Sequence, residues 1–355
     1  MGIMAKTINM TQFKIEGAIT DFGLSAKKFI SIDETTDEKS TGWVQFDDQD
    51  KSDIQMIGDY LPFSLRTDTR KIPGAALRSQ IKKASEEFLS DKPNLRRVPK
   101  HKREEIKEQV TLKMLAKIPP SPALIDGVVH GDTLIIFTTS SSAIDRFTTH
   151  LRKTFPELQL SPYAPFFRAM AIEGGKFVDD INRLDQSTGG FVLSKIRDNK
   201  WIGEQFLLWL VWKTYEVNAN GAWINDKIVL HGEAKKVTLT GEDQVNIVRS
   251  ALNEGRKITS AMVYLENDEN NLWTANIDTE MMAFKSFKCP QILIERKEDQ
   301  SERDAAFYEK MYLIGKGEEL LNKALTEFLN IRLGYVGVDS WTETYTEIVD
   351  WFAIS

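Results

Sequence analysis

A cluster of cationic side chains is the most concentrated chemical feature of this 355-residue sequence. Between Arg70 and Lys117 there are fourteen lysines and arginines but six aspartates and glutamates, a surplus of eight positive charges. Since the net charge of the whole chain is −6, the rest of it carries −14. The basic bias is densest in the run Leu95-Arg-Arg-Val-Pro-Lys-His-Lys-Arg103. A bias of this kind predicts binding to a polyanion, which releases condensed counterions and weakens as salt rises.

The same stretch has a second interpretation, as a solvated helical surface whose Lys and Glu side chains are neighbours at i, i+4. No base-reading motif decides between the two, since the sequence has no zinc-finger spacing, no basic zipper and no RNP-type aromatic signature. Charge alone leaves both interpretations open.

Carboxylates could supply a different chemistry, the hydrolysis of nucleic acid. Metal-dependent nucleases place two or three carboxylates and a lysine around Mg²⁺. Asp68 with Lys71 is one candidate group, and Asp179 and Asp180 with Asp185 form another. Because 52 of the 355 residues are acidic, such groupings arise by chance. The sequence therefore favours a protein without catalytic residues, metal site or cofactor.

Other nucleophiles and ligands show no catalytic spacing. The four histidines form no HxH or HExxH pattern. Ser140-Ser-Ser142 lacks a GxSxG elbow, so Ser141 or Ser142 is expected to cap a helix. Cys289 is the only cysteine, which excludes an internal disulfide and predicts a reducing, cytoplasmic environment.

An apolar segment contains Trp209 and Trp212, which could stack on bases. Their Leu and Phe neighbours favour packing in a core instead. The longest apolar run, Phe206–Trp212, is too short to cross a bilayer, which needs about 20 residues. We therefore expect no membrane association.

Hydrophobic periodicity predicts the elements that would position these residues. Predicted strands cover residues 9–18, 42–46, 60–69, 123–129, 133–138, 227–231, 234–239, 258–266 and 271–278. Predicted helices cover residues 24–32, 74–88, 101–117, 141–154, 202–213, 240–255 and 305–332. Helices 74–88 and 101–117 form a basic helical hairpin. Because strands and helices alternate without a βαβ rhythm or a glycine fingerprint, the expected fold is α+β, with mixed or antiparallel sheets and flanking helices.

Several stretches, taken in order, resemble the recombination-associated RdgC family over roughly residues 10–332. They are Gly42-Trp43-Val44, Phe63–Pro73, the basic hairpin, Leu115–Pro120, Thr133–Thr139, Leu151–Phe155, Ile202–Leu210, Ala234–Thr240 and Phe307–Arg332. Each motif is weakly specific by itself, and the specificity lies in their order and spacing.

The resemblance implies a ring-shaped homodimer whose subunits meet head-to-head and tail-to-tail. The basic hole of the ring would encircle double-stranded DNA without sequence preference, and the hairpin would be a protruding finger. The implied function is to restrain RecA-type homologous recombination without catalysing a reaction, in the cytoplasm and on the nucleoid. The implied partners are duplex DNA, a second copy of the chain and, indirectly, a RecA-type recombinase.

The candidate DNA-binding residues come from two places. The hairpin contributes Arg78, Lys82, Lys83, Arg96, Arg97, Lys100, Lys102, Arg103 and Lys107. The resemblance adds Lys235 and Lys236, which match the family's basic strand segment near the ring lining. As neighbours on a strand these two side chains point to opposite faces, so at most one faces a groove, and lysines also protect edge strands.

The expected organisation has four consecutive parts. Residues 1–70 begin an α+β body, residues 71–122 form the finger, residues 123–290 complete the central body, and residues 291–355 form a helix and an acidic, aromatic tail. The chain departs from the family's best-studied branch at Ile118-Pro-Pro-Ser-Pro122, where that branch has an aromatic residue. Two other functions stay open: a metal-dependent DNA exonuclease, and a module that acts on a recombination protein without binding DNA.

Overall fold

The computed structural model describes residues 2–48, 53–92, 94–184, 200–216, 224–231, 236–240, 245–267, 269, 271–291 and 300–353. The strands are β1 (Thr7–Glu16), β2 (Lys39–Gln45), β3 (Leu61–Thr69), β4 (Ser121–His130), β5 (Thr133–Ile136), β6 (Gln159–Pro162), β7 (Ile224–His231), β8 (Lys236–Thr240), β9 (Lys257–Glu266), β10 (Leu272–Asp278) and β11 (Phe284–Lys288). The helices are α1 (Asp21–Ala26), α2 (Gly74–Ser90), α3 (Lys100–Leu115), α4 (Ser141–Thr154), α5 (Pro165–Ala171), α6 (Val178–Leu184), α7 (Lys200–Glu216), α8 (Val245–Asn253), α9 (Gln300–Arg332) and α10 (Ser340–Ala353), with a 3-10 turn at Ile172–Gly175.

The fold is α+β, as predicted: the registered strand pairings are antiparallel, and helices flank the strands. Packing divides the chain into two compact units that interleave along the sequence. Unit 1 comprises Met1–Ala18, Val129–Asp145 and Leu158–Ser355, whereas unit 2 comprises Ile19–Val128 and Arg146–Glu157. Among the described helices, none combines the length and hydropathy needed to span a bilayer.

An aromatic cluster forms the core of unit 2. The Trp43 ring meets Phe63 and Phe147 edge-on, with centroids 5.2 Å apart in both pairs, and meets His150 at 5.0 Å. The Trp43 indole N–H donates to Thr154 Oγ1 at 2.9 Å. Burial lowers the pKa of His150, so its imidazole stays neutral at pH 7.

Strand β3 lies within the predicted strand 60–69 but is buried on both faces, which its alternating sequence does not indicate. Its alternation of Leu61, Phe63 and Leu65 with polar neighbours predicted one solvated face, but Pro62 and Ser64 are buried as well. The Ser64 hydroxyl donates to Asp126 Oδ1 at 2.7 Å, which satisfies its polar atom inside the unit.

The core of unit 1 lies where α9 packs over β10 and β11. Gly317 of α9 is required there, because a Cβ atom at this position would come within 2.7 Å of the Phe287 ring and 2.8 Å of Trp273. The Trp273 indole N–H donates to the Leu313 carbonyl at 2.8 Å.

A buried cation joins β1, α5 and α9 within unit 1. Arg168 is 1% exposed and donates from Nη1 to Glu318 Oε1 and Asn322 Oδ1, at 2.9 Å each. Its Nη2 donates to Gln12 Oε1. Because a buried guanidinium is tolerated only when it is paired and hydrogen-bonded, these three partners explain how unit 1 accommodates the charge.

Two predicted helix boundaries are wrong. Helix α1 begins at Asp21, where the Thr20 hydroxyl accepts from the Gly23 N–H at 3.1 Å, and ends at Ala26 instead of running from residue 24 to 32. It ends because the backbone beyond it turns to strand β2, with Phe29 N–H donating to the Trp43 carbonyl at 2.9 Å.

The helix predicted over residues 240–255 begins later than expected, because Thr240 is the last residue of β8 and pairs with Lys227. Helix α8 begins at Val245, and residues 241–244 lie outside the described part of the chain. The expected stop at Gly255 is confirmed by its φ of 76° and by the hydrogen bond from Arg256 N–H to the Ala251 carbonyl at 3.0 Å.

Candidate nucleic-acid interface

The predicted basic hairpin is present in unit 2 as helices α2 and α3, packed against each other. Pro73 and Pro99 immediately precede the two helices, where a residue without an N–H removes no helical hydrogen bond. Ile106 and Leu115 of α3 are buried, whereas no residue of α2 is fully buried. The hairpin thus has a thin apolar seam and much solvent-exposed surface.

Most of the candidate cations lie on that exposed surface. Of the nine hairpin residues predicted to bind DNA, eight are exposed: Arg78, Lys82, Lys83, Arg96, Arg97, Lys100, Arg103 and Lys107. The same basic stretch has four further exposed cations outside the predicted set, namely Lys71, Lys92, Lys113 and Lys117. These four residues were included in the count of positive charges, but the sequence alone offered no reason to add them to the predicted DNA-binding residues.

Lys102 is the exception, because it is half-buried and already paired. Its ammonium lies 2.6 Å from Glu105 Oε1 and 5.8 Å from the centre of the Phe88 ring. The hydrogen bond from Lys102 lowers the pKa of the Glu105 carboxyl, which keeps that partner ionised. Lys102 is therefore less available to bind a phosphate than its exposed neighbours, because its ammonium is already paired with Glu105.

Arg70, the first cation of the basic stretch, faces inward. It is 6% exposed and donates from Nη1 to the Thr35 carbonyl at 2.5 Å and from Nη2 to the Asp33 carbonyl at 3.0 Å. It therefore holds the acidic loop at residues 33–37 and does not belong to the solvent-facing charge.

The first turn of α3 has an unfavourable charge pattern for a helix. It contains Lys100, His101, Lys102 and Arg103, with no acidic residue and no side-chain cap. Cations near a helix N-terminus oppose the macrodipole and cost about 0.3–1 kcal/mol each when exposed. A bound anion would relieve this cost, since it would meet both the helix end and the cations.

Three of the exposed cations of α3 share one face. Lys100, Arg103 and Lys107 are spaced i, i+3 and i+7, and they span about 10 Å at ~1.5 Å per residue. Over such a length a duplex presents about six phosphate charges, at one per ~1.7 Å of axis. This face of α3 can therefore contact several phosphates at once.

The second predicted cationic site, Lys235 and Lys236, is only partly described by the structure. Lys235 lies outside the described residues. Lys236 begins strand β8, and its backbone pairs with His231. The side chain of Lys236 also lies outside what the structure describes, so a role for either lysine stays a prediction.

The candidate nuclease carboxylates have other partners. Asp68 is 0% exposed, and Arg66 donates to both of its oxygens, from Nε and Nη2, at 2.9 Å each. The Arg66 guanidinium in turn lies 4.3 Å from the centre of the Phe29 ring. A metal ion would have to displace this buried ion pair before it could bind Asp68.

The other carboxylate group is only partly described, because Asp185 lies outside the described residues. Asp180 accepts a hydrogen bond from the Tyr335 hydroxyl at 2.5 Å and pairs with Arg183 at 3.3 Å. Within the described ranges, no group of three or more His, Cys, Asp and Glu side chains could hold a metal ion.

The remaining candidate residues have structural roles. Trp209 and Trp212 are 1% and 8% exposed, which confirms the prediction that they pack in a core and excludes stacking on bases. Helix α4 begins at Ser141, so Ser141 and Ser142, either of which was expected to cap it, lie inside its first turn. Burial raises the pKa of Cys289 to about 11, so the thiol is protonated and unreactive at neutral pH.

Comparison with known protein families agrees with the resemblance seen in the sequence. Residues 9–170 match the family model described as "Putative exonuclease, RdgC". No curated protein matches the chain at the required level of significance. The matched range begins in β1, includes both helices of the basic hairpin and ends in α5. Over residues 9–170, somewhat less than half of its length, the chain is thus similar to the RdgC family.

Proposed function

We propose that this protein binds double-stranded DNA without sequence preference, through the exposed cations of the α2–α3 hairpin. The observation that carries the proposal is the cationic face of Lys100, Arg103 and Lys107 beside an uncapped helix N-terminus. This arrangement costs helix stability, and phosphates would repay that cost. Phosphate contacts position a protein on a duplex but do not read its sequence, which accounts for the lack of preference.

The resemblance to the RdgC family supports three further parts of the proposal. As an RdgC-like protein the chain would act as a ring-shaped homodimer, and it would restrain RecA-type recombination by occupying the duplex. It would do so in the cytoplasm, on the nucleoid. These parts rest on the resemblance, whereas the DNA contact also has support from the exposure of the eight hairpin cations.

The dependence of binding on salt tests the DNA contact. Each phosphate neutralised contributes about −0.9 to the slope of log Kobs against log salt concentration, so three cations per hairpin predict a slope of about −3 or steeper. Fluorescence anisotropy between about 50 and 200 mM salt, with two duplexes of unrelated sequence, measures this slope. No binding at the lowest salt, or a slope near zero, would contradict the proposal.

Exonuclease activity is the alternative that the description of the family model names. We propose that the protein binds DNA without cutting it, and we expect an end-labelled duplex to keep its length with Mg²⁺ or Mn²⁺. Shortening by the wild-type protein, abolished by Asp179→Asn together with Asp180→Asn, would establish a nuclease instead. Asp68→Asn is unsuitable for this assay, because it leaves Arg66 without its buried counter-charge and should cost about 3–5 kcal/mol of stability.

A further inference from the structure

The loop that joins α2 to α3 differs in chemistry from the helices on either side. This tip loop, residues 94–99, exposes Leu95, Arg96 and Arg97 in succession. Its ends are anchored: Leu95 N–H donates to the Lys92 carbonyl at 3.0 Å, and the buried Val98 offers its carbonyl to Arg103 Nη2 at 3.5 Å. The tip loop therefore presents one apolar and two guanidinium side chains from a held backbone.

The two arginines are available for a ligand. Neither Arg96 nor Arg97 forms an ion pair or a side-chain hydrogen bond with the rest of the described chain. The cations of the adjoining helices are mostly lysines, whereas the tip loop has two adjacent arginines. A guanidinium is planar and more weakly hydrated than an ammonium, so it loses less on entering a narrow groove.

A polyanion suits the tip loop better than a second tip loop does. In a two-fold symmetric contact the same patch meets itself. Residues 94–103 contain Arg96, Arg97, Lys100, Lys102 and Arg103 but no carboxylate, so two facing tips would place like charges together. The phosphates of duplex DNA are negatively charged, so they attract the side chains that would repel each other between two tip loops.

The dimensions of DNA indicate which groove the tip loop fits. The minor groove is about 6 Å wide, whereas a helix with its side chains is about 10–12 Å across, so α2 and α3 are excluded from it. Side chains extending from a loop are not excluded. Proteins that bind the minor groove combine basic side chains with an apolar side chain that contacts or wedges the bases, which is the combination at Leu95–Arg97.

We infer that the tip loop inserts Arg96 and Arg97 into the minor groove of duplex DNA, with Leu95 against the floor of the groove. Narrow A·T tracts concentrate negative potential in that groove and attract arginine. The tip loop therefore adds a modest bias toward A·T tracts, set by groove shape, to binding that otherwise has no sequence preference, and it reads no bases. This inference rests on the proposed function, because it specifies how the same hairpin holds its duplex.

The test is a charge-conserving exchange, Arg96→Lys with Arg97→Lys, assayed on an A-tract duplex and a G·C-rich duplex of equal length. We expect the wild type to bind the A-tract about fivefold more tightly, and the variant to bind both duplexes about equally. Arg152→Lys makes the same exchange on the exposed surface of α4, outside the proposed interface, and is the matched control, which should keep the wild-type ratio. Netropsin, which occupies the A·T minor groove, should compete with the wild type on the A-tract.

The outcomes separate this inference from the proposed function. If the wild type binds neither duplex, the proposed function fails. Binding to both duplexes with equal affinity, or a preference that survives the double exchange, overturns the minor-groove inference and leaves DNA binding intact. Failure of netropsin to compete also overturns it. A change of oligomeric state in the variant, measured by sedimentation, would assign the tip loop to contact between copies instead.

Discussion

Replacing Arg96, Arg97 and Lys100 together by glutamate should lower the affinity for duplex DNA by between about 10² and 10³ at 0.1 M salt. All three side chains are exposed, and they lie at the tip of the hairpin and in the first turn of α3. At this salt concentration each lost phosphate contact reduces the binding constant about eightfold, and repulsion by the new carboxylates adds to the loss. Anisotropy with a labelled duplex measures the affinity, and the salt slope should become shallower by about 3.

A control variant separates the position of the charges from their number. Lys6, Lys288 and Lys323 are exposed residues of unit 1, and their replacement by glutamate changes the net charge by the same amount. We expect this control to retain most of the wild-type affinity, with both variants folded by circular dichroism. If the hairpin variant still restrains RecA-type strand exchange as the wild type does, the protein acts through another protein and not through its hairpin.

The sequence predicted correctly those helices and strands whose determining residues lie within the element itself. Helix α4 has bounds close to those predicted, 141–154, because the serine run marks its start and because Phe147 and Leu151, four residues apart, are both fully buried. The β9–β10 hairpin was predicted as two strands, 258–266 and 271–278, and buried residues alternate along β10 and, from Ala261 onward, along β9. In these elements local propensity and tertiary packing require the same conformation, so periodicity is sufficient.

The candidate interface was predicted less completely, because a charge count does not separate exposed cations from paired ones. Arg70 belongs to the basic stretch by sequence, but its hydrogen-bond partners are backbone carbonyls more than thirty residues earlier. Asp68 was a candidate metal ligand, but it is the buried counter-charge of Arg66. For Arg70 the deciding contacts are tertiary. Arg66 and Asp68 lie two residues apart on β3, a spacing that places them on one face of the strand but does not by itself show that they pair.

The position of the C-terminal segment is set by contacts with residues that are mostly distant in the sequence, which sequence patterns do not reveal. Residues 338–355 were predicted only as an acidic, aromatic tail with no assigned position, whereas Ser340–Ala353 form helix α10. The partners of α10 lie far away in sequence: Trp351 packs beneath the Arg249 guanidinium at 5.0 Å, and Asn253 Nδ2 donates to the Phe352 carbonyl at 2.7 Å. Arg332 lies between the indole rings of Trp201 and Trp341, at 4.8 and 5.2 Å.

These contacts make α10 part of the core of unit 1, so truncating its buried ring should be costly. Trp351 is 2% exposed, and Trp351→Ala should lower the free energy of unfolding by about 3–5 kcal/mol, because it leaves a cavity and removes the surface on which Arg249 stacks. Urea denaturation followed by circular dichroism at 222 nm measures the change. Val338→Ala is the matched control, since Val338 is 95% exposed and its truncation should shift stability by less than about 0.5 kcal/mol. Equal stability of the two variants would mean that α10 rests on unit 1 without contributing to its fold, whereas a large loss confined to Trp351→Ala assigns the acidic, aromatic tail to the folded body of the protein.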